Sequence, residues 1–166
     1  MQSQSRRNKP KSSARSYALW LLGRKAYASA ALQSRLQRRG YSPEESQDAV
    51  AYLTEIGYLN DRVFVDDFVR GRAESGHGPR QISWELRSRG IEAPEIERAV
   101  AALDAEQLRE RAAALAADRL RRAGAGDPKA HQRILRYLLQ RGYEYSLAAE
   151  VVAELMADLD SGGQNS

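Results

Sequence analysis

The 166-residue chain contains no cysteine. That excludes disulfides, thiolate nucleophiles and cysteine-ligated zinc, and it fits a reducing compartment. Histidine is nearly as scarce: His77 and His131 lie far apart, and neither forms an i, i+4 pair with another ligand type, so no metal site is expected. The chain also lacks a P-loop, a glycine-rich dinucleotide fingerprint and a Gly-x-Ser-x-Gly elbow. Asp61, Asp66 and Asp67 read as a helix cap and a solvated helix start, so neither catalytic residues nor a cofactor are expected. No apolar run approaches the roughly 18 residues that span a bilayer, and the basic N-terminus leads into no signal-peptide core. A soluble, cytoplasmic protein without a membrane partner is the expectation.

Val, Ile and Thr are sparse while Ala, Leu, Arg and Glu abound. These abundant side chains lose little freedom on a helix, and an all-α fold follows. The formal net charge is only +4, so any polyanionic partner must be read from where the charges lie. Residues 1–16 carry Arg6, Arg7, Lys9, Lys11 and Arg15 against no acid and show no apolar periodicity. They read as a disordered basic arm, either a solubilising tail or a polyanion-binding segment.

Nine helices are expected. The first runs from about Tyr17 to Lys25, burying Leu19, Leu22 and one of Tyr17, Ala18 or Trp20. Ser29 is placed as the N-cap of a second helix that Gly40 ends, and Ser42, Pro43 and Glu45 form a capping box that opens a third. Asp61 is placed as the cap of the fourth, where Phe64, Val65, Phe68 and Val69 form an amphipathic stripe. Pro79 opens the fifth and Gly90 stops it; Ala93, Pro94 and Glu95 open the sixth. A seventh covers about Ala105 to Arg122, separate from the sixth or continuous with it. Gly124 and Gly126 break it, and Asp127 with Pro128 opens the eighth. The ninth is capped near Ser146, and the Gly/Ser-rich segment 160–166 is expected to be disordered.

An internal repeat organises these helices. Gly40, Gly90 and Gly142 lie about fifty residues apart, each preceded four positions earlier by Leu36, Leu86 or Leu138 and followed ten later by Val50, Val100 or Val152. The units are placed at 17–57, 58–105 and 106–159. Three tandem three-helix repeats imply an elongated, curved array whose units contact mainly their neighbours. Arg39, Arg89 and Arg141 precede the glycines, where a cation complements the negative end of a helix by about 0.3–1 kcal/mol.

Charge segregates within each unit. The middle helices are basic, with Arg35, Arg38 and Arg39, then Arg80, Arg87 and Arg89, then Lys129, Arg133, Arg136 and Arg141; the third helices are acidic. A helix-turn-helix reading fails on this pattern, because the helix that would enter the major groove is the acidic one. Non-specific phosphate contact by the middle helices stays open, as does pairing of the charges within the molecule. Trp84 lies roughly opposite Ile82 and Leu86 on its helix, so it either packs between units or meets a partner. Trp20, Tyr27, Tyr41 and Tyr58 are expected in the core or at its rim.

Gly57, Tyr58, Leu59, Asn60, Asp61 and Phe64, then Arg70 and Arg72, then Gly78, Pro79, Ile82, Glu85, Leu86, Arg89, Gly90 and Ile91 resemble the signature of the bacterial RecX regulatory proteins, over a span from about Ala18 to Leu155. The resemblance implies a non-enzymatic negative modulator of the recombinase RecA. Such a protein lies in the groove of the RecA filament on single-stranded DNA and inhibits filament extension, ATP hydrolysis, strand exchange and co-protease activity. Its implied partners are the RecA filament and single-stranded DNA, with double-stranded DNA as a further ligand, and a monomer is expected. The candidate contact residues rest on the charge pattern: Arg35, Arg38, Arg39, Arg70, Arg72, Arg80, Trp84, Arg87, Arg89, Arg133, Arg136 and Arg141. A competing reading is a nucleic-acid-binding helical module that acts through phosphate contacts alone.

Overall fold

The computed structural model describes residues 11–123 and 129–162. Among the described residues all regular structure is helical: α1 (Ala14–Leu22), α2 (Ser29–Arg39), α3 (Pro43–Glu55), α4 (Asp61–Glu74), α5 (Pro79–Arg87), α6 (Ala93–Ala101), α7 (Ala105–Ala123), α8 (Ala130–Gln140) and α9 (Tyr145–Gly162). No helix among them is long and apolar enough to cross a membrane.

The helices pack in three successive triplets, each around its own core. Leu32, Ile82 and Ile134, with Leu36, Leu86 and Leu138, are fully buried at matching positions of the three middle helices. The residue after each repeat glycine is buried as well, as Tyr41, Ile91 and Tyr143. Fully burying one such side chain is worth about 1.5–3 kcal/mol, so each unit has a hydrophobic reason to close. Gly40 and the other repeat glycines adopt positive φ, with Gly40 at 111°, Gly90 at 80° and Gly142 at 89°. Ser42 and Glu45 form the expected capping box, with Pro43 in the first turn.

Several local expectations are corrected. α1 begins at Ala14, three residues before Tyr17, because Ser13 caps it by accepting from the Ser16 amide. Tyr41 ties this start down, its hydroxyl donating to the Ser12 carbonyl at 2.9 Å. The basic arm is therefore helical at its C-terminal end. The buried side of α1 is Ala14, Ala18 and Leu21, while Leu19 turns outward. α6 and α7 are separate, since the Asp104 carboxylate accepts from the Gln107 amide at 2.9 Å and starts a new helix. α9 reaches Gly162, past the expected boundary at 160. The break at Gly124 and Gly126 and the cap at Asp127 and Pro128 lie outside the described residues, as do Arg6, Arg7 and Lys9.

The most informative correction concerns two caps. Ser29 is not the N-cap of α2, and Asp61 is not the N-cap of α4; those positions belong to Ala28 and Asn60. Asn60 caps α4 by accepting from the Val63 amide at 3.1 Å. Ala28 has no side chain to offer, and the Asp61 carboxylate accepts from the Ser29 amide at 2.7 Å instead. A residue of the second unit thus caps a helix of the first, and Ala28 sits in the second unit's core.

The next junction follows the same logic. The N-cap of α5 is Gly78, which has no side chain to offer, and the Gly78 amide donates to the Arg141 carbonyl at 2.7 Å while the Arg80 amide donates to the Gly142 carbonyl at 3.0 Å. The C-terminal end of α8 therefore abuts the N-terminal end of α5. At its other end α5 meets α2, because a Cβ on Gly90 would lie 2.7 Å from Ala30 Cβ. The first and third units dock on opposite ends of α5, which makes the array open. α8, α5 and α2 run head to tail, each positive end against a negative one.

This geometry separates two glycines. Gly78 has an ordinary φ of −81°, yet a Cβ there would overlap the Gly142 and Tyr143 backbone. Gly57 has a φ of 80° but open space around it. Gly57→Ala is expected to cost about 1–2 kcal/mol of backbone strain, whereas Gly78→Ala, in crowded surroundings, should cost roughly 3 kcal/mol or more. Urea titration of the two variants checks the order.

Candidate partner interface

The middle helices place most of the candidate cations along one head-to-tail series, Arg70 and Arg72 lie on α4, and the cations are not equivalent. Arg72 turns inward and forms an ion pair with Glu85, which is only 8% exposed. Gln81 donates to the same carboxylate at 3.1 Å. Burial alone would push the Glu85 carboxyl up; hydrogen bonds from Arg72 and Gln81, with the charges of Arg72 and Arg89, hold it below the usual carboxylate range. Arg141 is half-buried at the junction of the second and third units, 3.1 Å from the Tyr137 hydroxyl and 3.3 Å from His77 Nε2. Arg72 ties α4 to α5 within the second unit, and Arg141 joins the second unit to the third.

The arginines before the repeat glycines share a further contact. Arg39 lies over the Tyr17 ring at 5.6 Å, Arg89 over Phe68 at 4.6 Å and Arg141 over Tyr137 at 5.4 Å. Arg89 also donates to the Glu85 carbonyl at 2.6 Å. Each cation thus meets an aromatic face, and Arg89 also meets its helix's negative end, which fixes its direction.

Arg70 is exposed and pairs with Asp67. Arg80 is exposed and lies 3.9 Å from Glu144 across the unit junction. Arg35, Arg87 and Arg136 are exposed and make no ion pair among the described residues; Arg133 is exposed on α8. The acids of the last two units are more often neutralised: Arg109 holds Glu150 and Glu154, and Arg98 holds Glu95 and Asp66. Pairing within the molecule therefore accounts for these acids better than for the cations of the middle helices.

Two clefts mark the unit junctions. One, about 580 Å³, separates the first two units and is lined by Lys25, Tyr27, Arg38, Phe64, Arg87 and Arg89 among others, with no carboxylate. The other, about 450 Å³, lies between the second and third units and mixes Asp66, Glu74 and Asp104 with Arg70, Arg98 and Arg111. Only the first concentrates charge of one sign. The structure brings Arg38, Arg87 and Arg89 together there, although they are far apart in sequence. Lys25 and Tyr27 join them from the α1–α2 connection; nothing in the repeat pattern marks these two residues, since they lie outside the helices.

Trp84 is 63% exposed, so it does not pack between units. Arg80, Trp84 and Arg87 share one exposed face of α5, at i, i+4 and i+7. Trp20 and Tyr58 are also on the surface, at 52% and 65% exposure, while Tyr41 belongs to the core and Tyr27 is half-buried. Trp20 is engaged on its ring, stacked with Tyr17 at 5.6 Å and covered by Arg24 at 4.6 Å.

Comparison with known proteins follows the three units. Family models of the first, second and third three-helix domains of RecX match residues 14–53, 60–100 and 105–152. The chain is 43% identical over 145 residues to the regulatory protein RecX of Mycobacteroides abscessus, covering 86% of this chain and 71% of that one. It is 34% identical over 153 residues to the regulatory protein RecX of Mycolicibacterium vanbaalenii, covering 87% and 83%. The crystal structure of RecX from Lactobacillus salivarius superposes with a TM-score of 0.76 at 19% identity, over 87% of this chain and 95% of that one, and shares the fold.

Two outcomes test the inward-facing charges. Arg72→Ala strands a buried carboxylate and is expected to cost roughly 2–4 kcal/mol, against about 0–1 kcal/mol for Arg70→Ala in its exposed pair; thermal and urea unfolding measure the difference. His77 supplies the second. Burial first, then the charges of Arg72 and Arg141, push its pKa below the ordinary 6.5, against a smaller opposing pull from Glu85. The folded state thus favours neutral His77, so its contribution is complete above about pH 6.5 and is lost as pH falls through the lower folded value. The Glu85 contribution is lost only below about pH 4.5, its ordinary value. Urea titrations between pH 7.5 and 5.5 should show a loss of stability that His77→Gln removes.

Proposed function

This chain belongs to the RecX family of regulatory proteins, and on that premise we propose that it is a negative modulator of the RecA recombinase in the cytoplasm. It binds in the groove of the RecA filament on single-stranded DNA and inhibits filament extension, ATP hydrolysis, strand exchange and co-protease activity. The observation that carries this reading is the open array of three units with its basic helices in head-to-tail series. Such a molecule offers exposed cations from each of its three units to several subunits of a helical polymer at once. Its action is steric and electrostatic, with no reaction of its own.

The cations left over after internal pairing supply the attraction. Arg35, Arg87 and Arg136 come one from each unit, so the contacts are distributed along the array. Distributed weak contacts gain through effective concentration once the first is made. The loss of one cation should then weaken inhibition modestly, and the loss of one whole unit should weaken it severely.

A second reading, phosphate contact alone, is favoured by the acid-free cleft between the first two units. Under it, inhibition would follow the amount of DNA and would fall steeply with salt. Titration of this protein into RecA on single-stranded DNA separates the two, with ATP hydrolysis as the readout. Inhibition at amounts well below those of RecA, unrelieved by excess free oligonucleotide, is the expected result. No effect on either a growing or a preassembled filament would overturn the proposal.

A further inference from the structure

The acid-free cleft and the exposed Trp84 lie side by side. Arg87 and Ser88 line the cleft, and Trp84 is one helical turn before them, about 5–6 Å away between Cβ atoms. We infer that these features together form a binding site for a single strand of nucleic acid, with phosphates on Lys25, Arg38 and Arg87 and a base stacked on the Trp84 indole. The site resides in this chain alone and does not depend on the recombinase. It deepens the phosphate-contact reading above by assigning that contact to one junction.

Four observations support the assignment. The cleft gathers Lys25, Arg38, Arg87 and Arg89 with no carboxylate in its lining. Glu85 behind it offsets part of the Arg89 charge, while Lys25, Arg38 and Arg87 make no ion pair among the described residues, and a concave surface of one sign focuses its field on a polyanion. Lys25, Arg38 and Arg87 are exposed, so their charges are available to a ligand that runs across the opening. Small-molecule sites by contrast enclose most of their ligand in apolar walls. Arg38 is partly pre-ordered, its Nε donating to the Ser34 carbonyl at 3.3 Å. Arg89 is held by the Glu85 carbonyl and the Phe68 ring, so it contributes charge at a fixed position.

Trp84 decides between a single strand and a duplex. Trp20 already has Tyr17 and Arg24 on its ring, whereas no ring or cation stacks on Trp84 among the described residues. An indole that is 63% exposed and flanked by Arg80 and Arg87 offers a free π-face beside a cationic groove. Single-strand-binding surfaces combine these same two elements, because every unpaired base has a π-face and every nucleotide a phosphate. A duplex keeps its bases stacked on one another and has none to give.

The test uses the full chain without RecA and a fluorescent oligo(dT) as probe. In a Trp20→Phe background the emission of Trp84 should be quenched as oligo(dT) binds. Trp84→Ala should weaken binding by about tenfold, and Arg38→Gln with Arg87→Gln should reduce the logarithmic salt slope by roughly one for each arginine. Urea titrations of the variants establish that each is folded, since all three side chains are exposed. Binding without quenching, or equal affinity of Trp84→Ala and of the parent, overturns the stacking site; equal affinity for duplex DNA does the same. If oligo(dT) does not bind while RecA inhibition persists and is lost in Trp84→Ala, the surface is a protein contact, and the inference fails while the proposed function stands.

Discussion

The first amides of an α-helix have no partners within the helix, and in this protein two of the three middle helices find theirs in the following unit. Ala28 and Gly78, at the starts of α2 and α5, have no side-chain group to accept a hydrogen bond. The Asp61 carboxylate serves the first, and the carbonyls of Arg141 and Gly142 serve the second. An orphaned buried amide costs about 1–3 kcal/mol, so each junction is stabilised by the very groups that would otherwise penalise it. Each unit has its own hydrophobic core, with Ala28 and Leu59 crossing between the first two, and the units are joined further through the polar ends of their helices.

The head-to-tail order has an electrostatic consequence. The negative end of α8 meets the positive end of α5, so part of the dipole complement at the C-terminus of α8 comes from a neighbouring helix. The pre-glycine arginines then settle over aromatic rings, where their planar cations are held in place. Acids in the second and third units are drawn into pairs with Arg98 and Arg109. What is left outside is a series of cations with few counter-charges, concentrated where the first two units meet. The junctions that build the array also shape the surface offered to a partner.

Much of this was legible from local chemistry. The helix content, the capping box at Ser42, the positive-φ glycines and the repeat of Leu36, Leu86 and Leu138 all depend on residues within a turn or two of one another. The errors fall where a partner is distant. Ser29 and Asp61 both carry good capping side chains, and proximity in sequence favours each as the cap of its own helix; only the fold reveals that Asp61 reaches back 32 residues to the amide of Ser29. Arg72 looks like its neighbour Arg70 until Glu85, 13 residues away, is seen to draw it inward. Leu19 carries a core-type side chain, yet the face of α1 that meets α2 and α3 is set by Ala14, Ala18 and Leu21, and Leu19 points away from it.

The sequence by itself determined that the chain is helical, that it repeats three times and that basic and acidic helices alternate within each unit, because periodicity, capping and charge are local properties. Only the tertiary structure decided which cations face outward, that Trp84 is free and Trp20 engaged, and that Lys25, Arg38, Arg87 and Arg89 share one cleft. Those outcomes turn on the angle at which one unit meets the next. That angle is set by a few long-range hydrogen bonds and by the close approach of Gly78 and Gly90 to neighbouring backbone and side chain, contacts that no sequence spacing encodes.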